Sequence, residues 1–288
     1  EAFGGDVYIH HNYFLNGTRA IYIQGSPTPT SRQDSINISY NHFVNQRAGA
    51  IYALNLRDVS IDRNQIISNT AATYTGLQLS NCHGDNTVAF NTVNLTGTGD
   101  GITITGQNSQ SDLPGLCEAY NNMASVVSGS AFSLSTNRRL NFVFNTGYTS
   151  GTTASSHHAI KLSGGDSITI QNNIAVANAG RAYNESFFIP VVHADYNNFF
   201  TNGIELAYRA NTGYANLASW QAGTSLDMNS LSVDPLFVSS SDLHILASSL
   251  NGAAIPFTGI LTDNDNQLRD PSFPDIGADE FTLQLANN

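Results

Sequence analysis

The sequence predicts an all-β solenoid of about eight short coils, closed by a C-terminal module of different character. Three observations point to it: an asparagine recurs at one fixed point of a degenerate repeat, an apolar-alternating segment follows each of these asparagines, and helix formers are scarce. Charged residues make up 11% of the 288, and there are 33 asparagines and one lysine, Lys161, against ten arginines. Asn, Ser, Thr and Gly are weak helix formers, and Asn and Gly favour turns and left-handed backbone.

The coils follow in order. VYIHHNYFLN from Val7, INISYNHFVN from Ile36 and VSIDRNQIIS from Val59 share one frame. An apolar residue, a polar one and an apolar one precede two variable positions, then Asn, a variable position and an apolar residue. The asparagines are Asn12, Asn41 and Asn64. The frame continues, more weakly, through Asn91 in TVAFNTV, Asn122 in CEAYNNMA, Asn145 in LNFVFNTG, Asn173 in ITIQNNIA and Asn197 in VHADYNNFF. The spacings are 29, 23, 27, 31, 23, 28 and 24 residues. Each Asn is expected at an inward bend, where its amide bonds local backbone and the Asn of the next coil.

The second series comprises Ala-Ile-Tyr-Ile at 20–23, Ala-Ile-Tyr-Ala at 50–53, Gly-Leu-Gln-Leu at 76–79, Gly-Ile-Thr-Ile at 101–104, Ala-Phe-Ser-Leu at 131–134 and Ala-Ile-Lys-Leu at 159–162. Each is small, apolar, polar, apolar, the alternation of a short half-buried strand. Two or three strands per repeat fit stacked coils with inward apolar alternates and insertions in the turns. A β-sandwich gives no reason for an Asn at one point of every repeat, and the Leu positions of a leucine-rich repeat are missing.

These residues resemble the right-handed parallel β-helix of the pectate-lyase-like superfamily over roughly residues 6–200. That fold carries lyases, glycoside hydrolases, tailspikes, adhesins and surface proteins, so the resemblance implies an architecture and leaves function to a site. Residues 217–281 read LASWQAGTSLDMNSLSVDPLFV, SSDLHILASSLNGAAI and LTDNDNQLRDPSFPDIGADEF. This ordered set is similar to the terminal module of many secreted bacterial β-helix proteins, with Asn266 where that family has Gly. The resemblance implies a module that closes the helix end, a place where solenoids need an atypical unit. The chain thus divides into coils over 1–200 and a capping module with its tail over 201–288.

The formal net charge of −11 argues against nucleic-acid partners and against anionic membranes, and no apolar run approaches a membrane span. Cys82 and Cys117 match no metal-ligand spacing and leave free thiols or one bridge equally open.

Four chemistries are open to such a scaffold. For hydrolysis, the resemblance would imply Asn-Thr-Asp, Asp-Asp, Gly-His and Arg-x-Lys segments, which are missing; His83, Asp85 and Asp100 remain, and acids beside Gly ordinarily make turns. For β-elimination, Lys161 with Arg138 or Arg139 supplies a base and a cation, although alternation points Lys161 outward as a surface residue. For binding, Tyr22, Tyr52, Gln78, Thr103, Ser133 and Lys161 are expected to line up coil over coil into a polar-aromatic stripe suited to a polysaccharide, though Tyr and Thr are also good strand formers on a solvated face. A second outward series, His10, Ser39 and Asp62, has no coherent chemistry.

For metals, Asp263, Asp265 and Asp270 have the short spacing of a Ca²⁺ loop, but the loop's Gly is absent and Glu280 lies ten residues past Asp270. Arg269 pairing with one of these acids, to pin the cap, is the preferred reading, so no cofactor is expected. His157 and His158 are adjacent and would face opposite ways on a strand. Sequons at Asn16, Asn37, Asn94 and Asn184 arise readily in an Asn-rich chain.

The sequence thus leads to the expectation of an extracellular β-helix module, secreted or at a cell surface, with a structural, adhesive or carbohydrate-contacting role. A polysaccharide lyase or glycoside hydrolase is the alternative. Coil one starts almost at once, at Val7, without a signal peptide, so the chain is expected to be processed or a piece of something longer. Upstream sequence or a neighbouring subunit is expected to cover its edge. In the second case self-association runs through the first coil, with the strand-like 281–286 added to it.

Overall fold

The computed structural model describes residues 6–28, 31–70, 73–109, 115–152, 156–187 and 191–282. They form a right-handed parallel β-helix of about seven turns, close to the expected count. Every coil contributes strands to three faces. Face one holds the strands before the repeated Asn, from Val7–His10 to Val191–Asp195. Face two holds those after it, from Tyr13–Leu15 to Asn198–Thr201. Face three holds the second series, from Arg19–Gln24 to Ala207–Arg209. In two coils faces three and one merge into single strands, Ser130–Val143 and His158–Gln171.

Apolar alternates stack in register down the inside. Face one stacks Ile9, Ile38, Ile61, Val88, Ala119, Phe142, Ile170 and Ala194. Face three stacks Ile21, Ile51, Leu77, Ile102, Phe132, Ile160, Tyr183 and Ala207. The small residue opening each face-three segment also has a physical cause. A Cβ on Gly76 would lie 2.5 Å from the Gly101 carbonyl and 2.7 Å from Val93 of face two. The corner takes a small residue because the chain turns against the neighbouring face there, and at Gly76 it leaves no room even for a Cβ.

The bend between faces one and two is where the repeated Asn sits. The residue before each one is left-handed, with φ of 57° at His11, 55° at Tyr40, 52° at Arg63, 56° at Phe90, 52° at Asn121, 54° at Phe144, 59° at Asn172 and 56° at Tyr196. That conformation is uncommon away from Gly, so side-chain bonds must hold the corner. Each carboxamide donates to the next one's Oδ1: Asn12 to Asn41 at 3.0 Å, Asn41 to Asn64 at 3.1 Å, Asn64 to Asn91 and Asn91 to Asn122 at 3.0 Å. The run goes on from Asn122 to Asn145 at 2.9 Å, Asn145 to Asn173 at 3.1 Å and Asn173 to Asn197 at 3.0 Å. Asn12 is exposed and the other seven are buried.

The last Asn meets a substitute for an eighth neighbour. Asn197 Nδ2 donates to Asp227 Oδ1 at 2.8 Å, and its backbone N–H donates to Ser230 Oγ at 2.8 Å. Asp227 Oδ2 accepts from Trp220 Nε1 at 2.8 Å. Trp220 lies on the helix Leu217–Thr224, whose capping box is built by Asn216 and Ser219. Its indole is fully buried and packs edge-on against Tyr183 and Tyr214. Burial pushes the Asp227 carboxyl up, against three hydrogen bonds that favour its charged form.

The rest of the module runs back along the outside. Asn172 donates to the Ile255 carbonyl, Ala278 N–H donates to Thr146 Oγ1, Asn264 donates to the Asn121 carbonyl, and Arg63 donates to Asn266 Oδ1. These anchors lie on face two or at its corner with face one, so the module braces a flank as well as closing the end. Phe281 is tied into it through Asp275 and Asn251. Residues 283–286 of the expected tail strand lie outside the described residues. Cys82 and Cys117 are buried free thiols.

Candidate functional site

On face three the outward residues form one unbroken column. Strand register aligns Tyr22 with Tyr52, Tyr52 with Gln78, Gln78 with Thr103, Thr103 with Ser133 and Ser133 with Lys161. The column runs two coils further, from Lys161 to Asn184 and from Asn184 to Tyr208. Eight positions at a strand spacing of ~4.8 Å make a stripe roughly 34 Å long.

Both ends carry a tyrosine under a guanidinium. Arg19 lies 4.5 Å from the Tyr52 ring centre and 5.5 Å from that of Tyr22, and the two rings stack 6.3 Å apart at 24°. Tyr22 is 50% exposed. A Cβ on Gly49 would come within 2.3 Å of the Tyr52 ring, so Gly49 makes room for that ring to lie along the sheet. At the other end Arg181 lies 4.0 Å from the Tyr208 ring centre, ion-paired with Glu205 at 2.6 Å and bonded to Asn184 Oδ1 at 3.2 Å. Arg19, Arg181 and Tyr208 carry no signal of their own in the sequence, and Asn184 stands out there only as a sequon. Continuing the small-apolar-polar frame into 182–185 and 207–209 would have found the last two.

The alternative sites are not assembled. Arg138 Nε is bound by Asp166 at 2.6 Å, at the bend between faces three and one and five register positions from the Ser133–Lys161 pair, so it does not join Lys161 in one site. Asp100 Oδ1 accepts from the Ser130 N–H at 2.8 Å and Asp85 Oδ1 from the Leu116 N–H at 3.0 Å, each tying its coil to the backbone of the next. His83 is buried, and burial, aided by the Arg32 charge, lowers its imidazole to about 4. His158 is lowered to about 4 as well, by burial and then by the Arg181 and Lys161 charges. His157 Nε2 lies 3.1 Å from Ser128 Oγ. In the outward series of face one, His10, Ser39 and Asp62 do align.

The three acids of the expected Ca²⁺ loop part company. Asp263 is buried and accepts the N–H groups of Asp265, Gln267 and Glu280. Asp270 caps Ser272 and Phe273. Asp265 alone turns elsewhere, its Oδ2 2.6 Å from His244 Nε2. Arg269 pairs with Glu280 at 3.2 Å instead of with one of these acids, and it also reaches Asn121 and Gly277, so it does pin the module to the coils. His244 Nδ1 bonds Asp242. Burial pulls the His244 imidazole down, but hydrogen bonds to Asp242 and Asp265 outweigh it and raise the group to about 9.

No protein-family profile, curated protein or solved structure matches the chain.

Proposed function

We propose that the chain is a carbohydrate-contacting surface module of the pectate-lyase-like β-helix type, acting outside the cell through face three. The observation that carries this is the unbroken column from Tyr22 to Tyr208, with an Arg–Tyr stack at each end. It lies away from the flank that the C-terminal module braces. Aromatic rings and amides, with hydroxyls between them, suit the apolar faces and hydroxyls of pyranose rings. Lys161 and Arg19 favour a glycan bearing carboxylates or sulfates over a neutral one, whereas Arg181 is already paired with Glu205. Sedimentation with insoluble acidic and neutral polysaccharides tests it. Wild-type chain should co-sediment with an acidic polymer and a Tyr22→Ala/Tyr52→Ala variant should not; equal retention of both proteins refutes the assignment.

A second reading, β-elimination on a uronate, is favoured by one feature. Asn184 stands beside Lys161 in register and accepts a hydrogen bond from Arg181, which brings a basic amine and a guanidinium toward one coil boundary. In that reading Lys161 removes the proton and Arg181 steadies the carboxylate. Release of unsaturated products from pectate, alginate or chondroitin, abolished by Lys161→Ala, would establish it. The binding reading predicts little or no release, with or without Ca²⁺.

A further inference from the structure

Residues 231–282 carry almost no regular secondary structure, one three-residue turn of 3₁₀ helix at Ser248–Leu250 and a few isolated bridges. Three separate loops of this region meet at one place. His244 Nε2 and carboxylate oxygens of Asp265 and Asp279 all lie within 4.8 Å of one another. His244 and Asp265 line a cleft of about 310 Å³ between the module and face two, together with Gln65, Thr92 and Ser125. Asp279 sits behind them, 3% exposed, with Oδ2 accepting the Ile245 N–H at 3.0 Å.

We propose that His244, Asp265 and Asp279 form a divalent transition-metal site that cross-links the three loops and opens toward the cleft. The donor set selects the ion class: an imidazole nitrogen suits Zn²⁺, Co²⁺ or Ni²⁺, whereas Ca²⁺ and Mg²⁺ take oxygen ligands. The charge balance points the same way. Asp242, Asp265 and Asp279 act on one imidazole, Asp263 acts in turn on Asp279, and Arg269 is already paired with Glu280. Asp242 supplies a further independent feature. It lies outside the ligand set and holds the far ring nitrogen, Nδ1, the partner that fixes the orientation and tautomer of a metal-bound histidine. Nε2 and Asp265 Oδ2 stand 2.6 Å apart; the ion replaces the proton they share, which is released to solvent, and the two atoms need only move to about 3.3 Å to hold a tetrahedral ion at ~2.0–2.1 Å. Three protein ligands leave a position open on the cleft side for water or a ligand oxygen.

Titration of the full chain with Co²⁺ at neutral pH, followed by visible absorption, tests the site. Wild-type chain should develop a ligand-field spectrum that saturates at one equivalent and is displaced by Zn²⁺, and Zn²⁺ should raise its melting temperature. Asp265→Asn, at an exposed position where folding is least at risk, should abolish the spectrum, as should His244→Ala. Asp242→Asn should keep one equivalent but bind about 10–100-fold more weakly. Circular dichroism checks that each variant is folded. Failure of wild-type chain to bind one equivalent, or undiminished binding by folded Asp265→Asn or His244→Ala, overturns the proposal.

Discussion

Replacing Asn64 by Leu removes the centre of the carboxamide column while keeping the branched outline of the side chain. Asn64 Oδ1 accepts from the Asn41 backbone N–H and from Asn41 Nδ2, both at 3.1 Å. Its Nδ2 donates to the carbonyls of Ile38 at 2.8 Å and Asp62 at 3.0 Å. After the change the Asn41 amide side chain keeps the Ile9 carbonyl, and Asn91 Oδ1 keeps the Asn64 N–H. The Asn41 N–H loses its acceptor in a fully buried corner, and two carbonyls lose a donor. An orphaned buried group costs ~1–3 kcal/mol, so the total is about 2–5 kcal/mol after the apolar gain from Leu. Asn12→Leu should cost less than about 1 kcal/mol, because Asn12 is exposed and stands at the end of the column. Coils interact with nearest neighbours, so the loss is concentrated locally. Denaturant melts give the overall loss and hydrogen exchange at 36–95 its location. A variant within about 0.5 kcal/mol of wild type, with unchanged exchange at Asn41, would show that the column does not hold the bend.

Further outcomes follow from the same structure. Asp227→Ala strips acceptors from Asn197, Ser230 and Trp220 at once and should expose the indole, read as a red-shifted fluorescence and early loss of the last coil. Asp227→Asn should be milder, since a carboxamide can still accept from Asn197 while facing the Trp220 N–H with its own donors. His83 and His158 are held near 4 against an ordinary 6.5, so the stability tied to their neutral forms is whole above pH 6.5 and is withdrawn as pH falls toward 4. Each contributes on the order of 3 kcal/mol to that loss. Asp275, raised by burial to about 6, works in the opposite sense. Its contribution is full below 3.8 and is lost as pH rises through 6. Acid should therefore loosen the coils around His83 and His158 before the C-terminal module, and hydrogen exchange at pH 4.5 and pH 7 reads the difference; the reverse order would contradict it.

The coils were legible in the sequence because backbone geometry imposes their period. A left-handed corner recurs once per coil, the same Asn satisfies it each time, and inward strands alternate with a period of two. The outward column from Tyr22 to Lys161 follows from the same register. The return of the module along face two was not legible, because Asn121, Asn172 and Thr146 meet residues more than 80 positions away through contacts that follow no period. The grouping of His244 with Asp265 and Asp279 was hidden similarly, since the short Asp263-Asp265-Asp270 spacing suggested a loop whose members in fact serve separate turns. The separation of Arg138 from Lys161 was not legible either, because nothing in its neighbourhood announces its pairing with Asp166 of the next coil.

The claim that face three contacts carbohydrate is tested most directly by a crystal structure of the chain with a bound acidic oligosaccharide. The account predicts sugar rings against Tyr22 and Tyr52, their anionic groups toward Arg19 and Lys161, and a chain axis running across the strands along the column. Saccharide density confined to the cleft between face two and the C-terminal module, with the Tyr22–Tyr208 column bare, would contradict it.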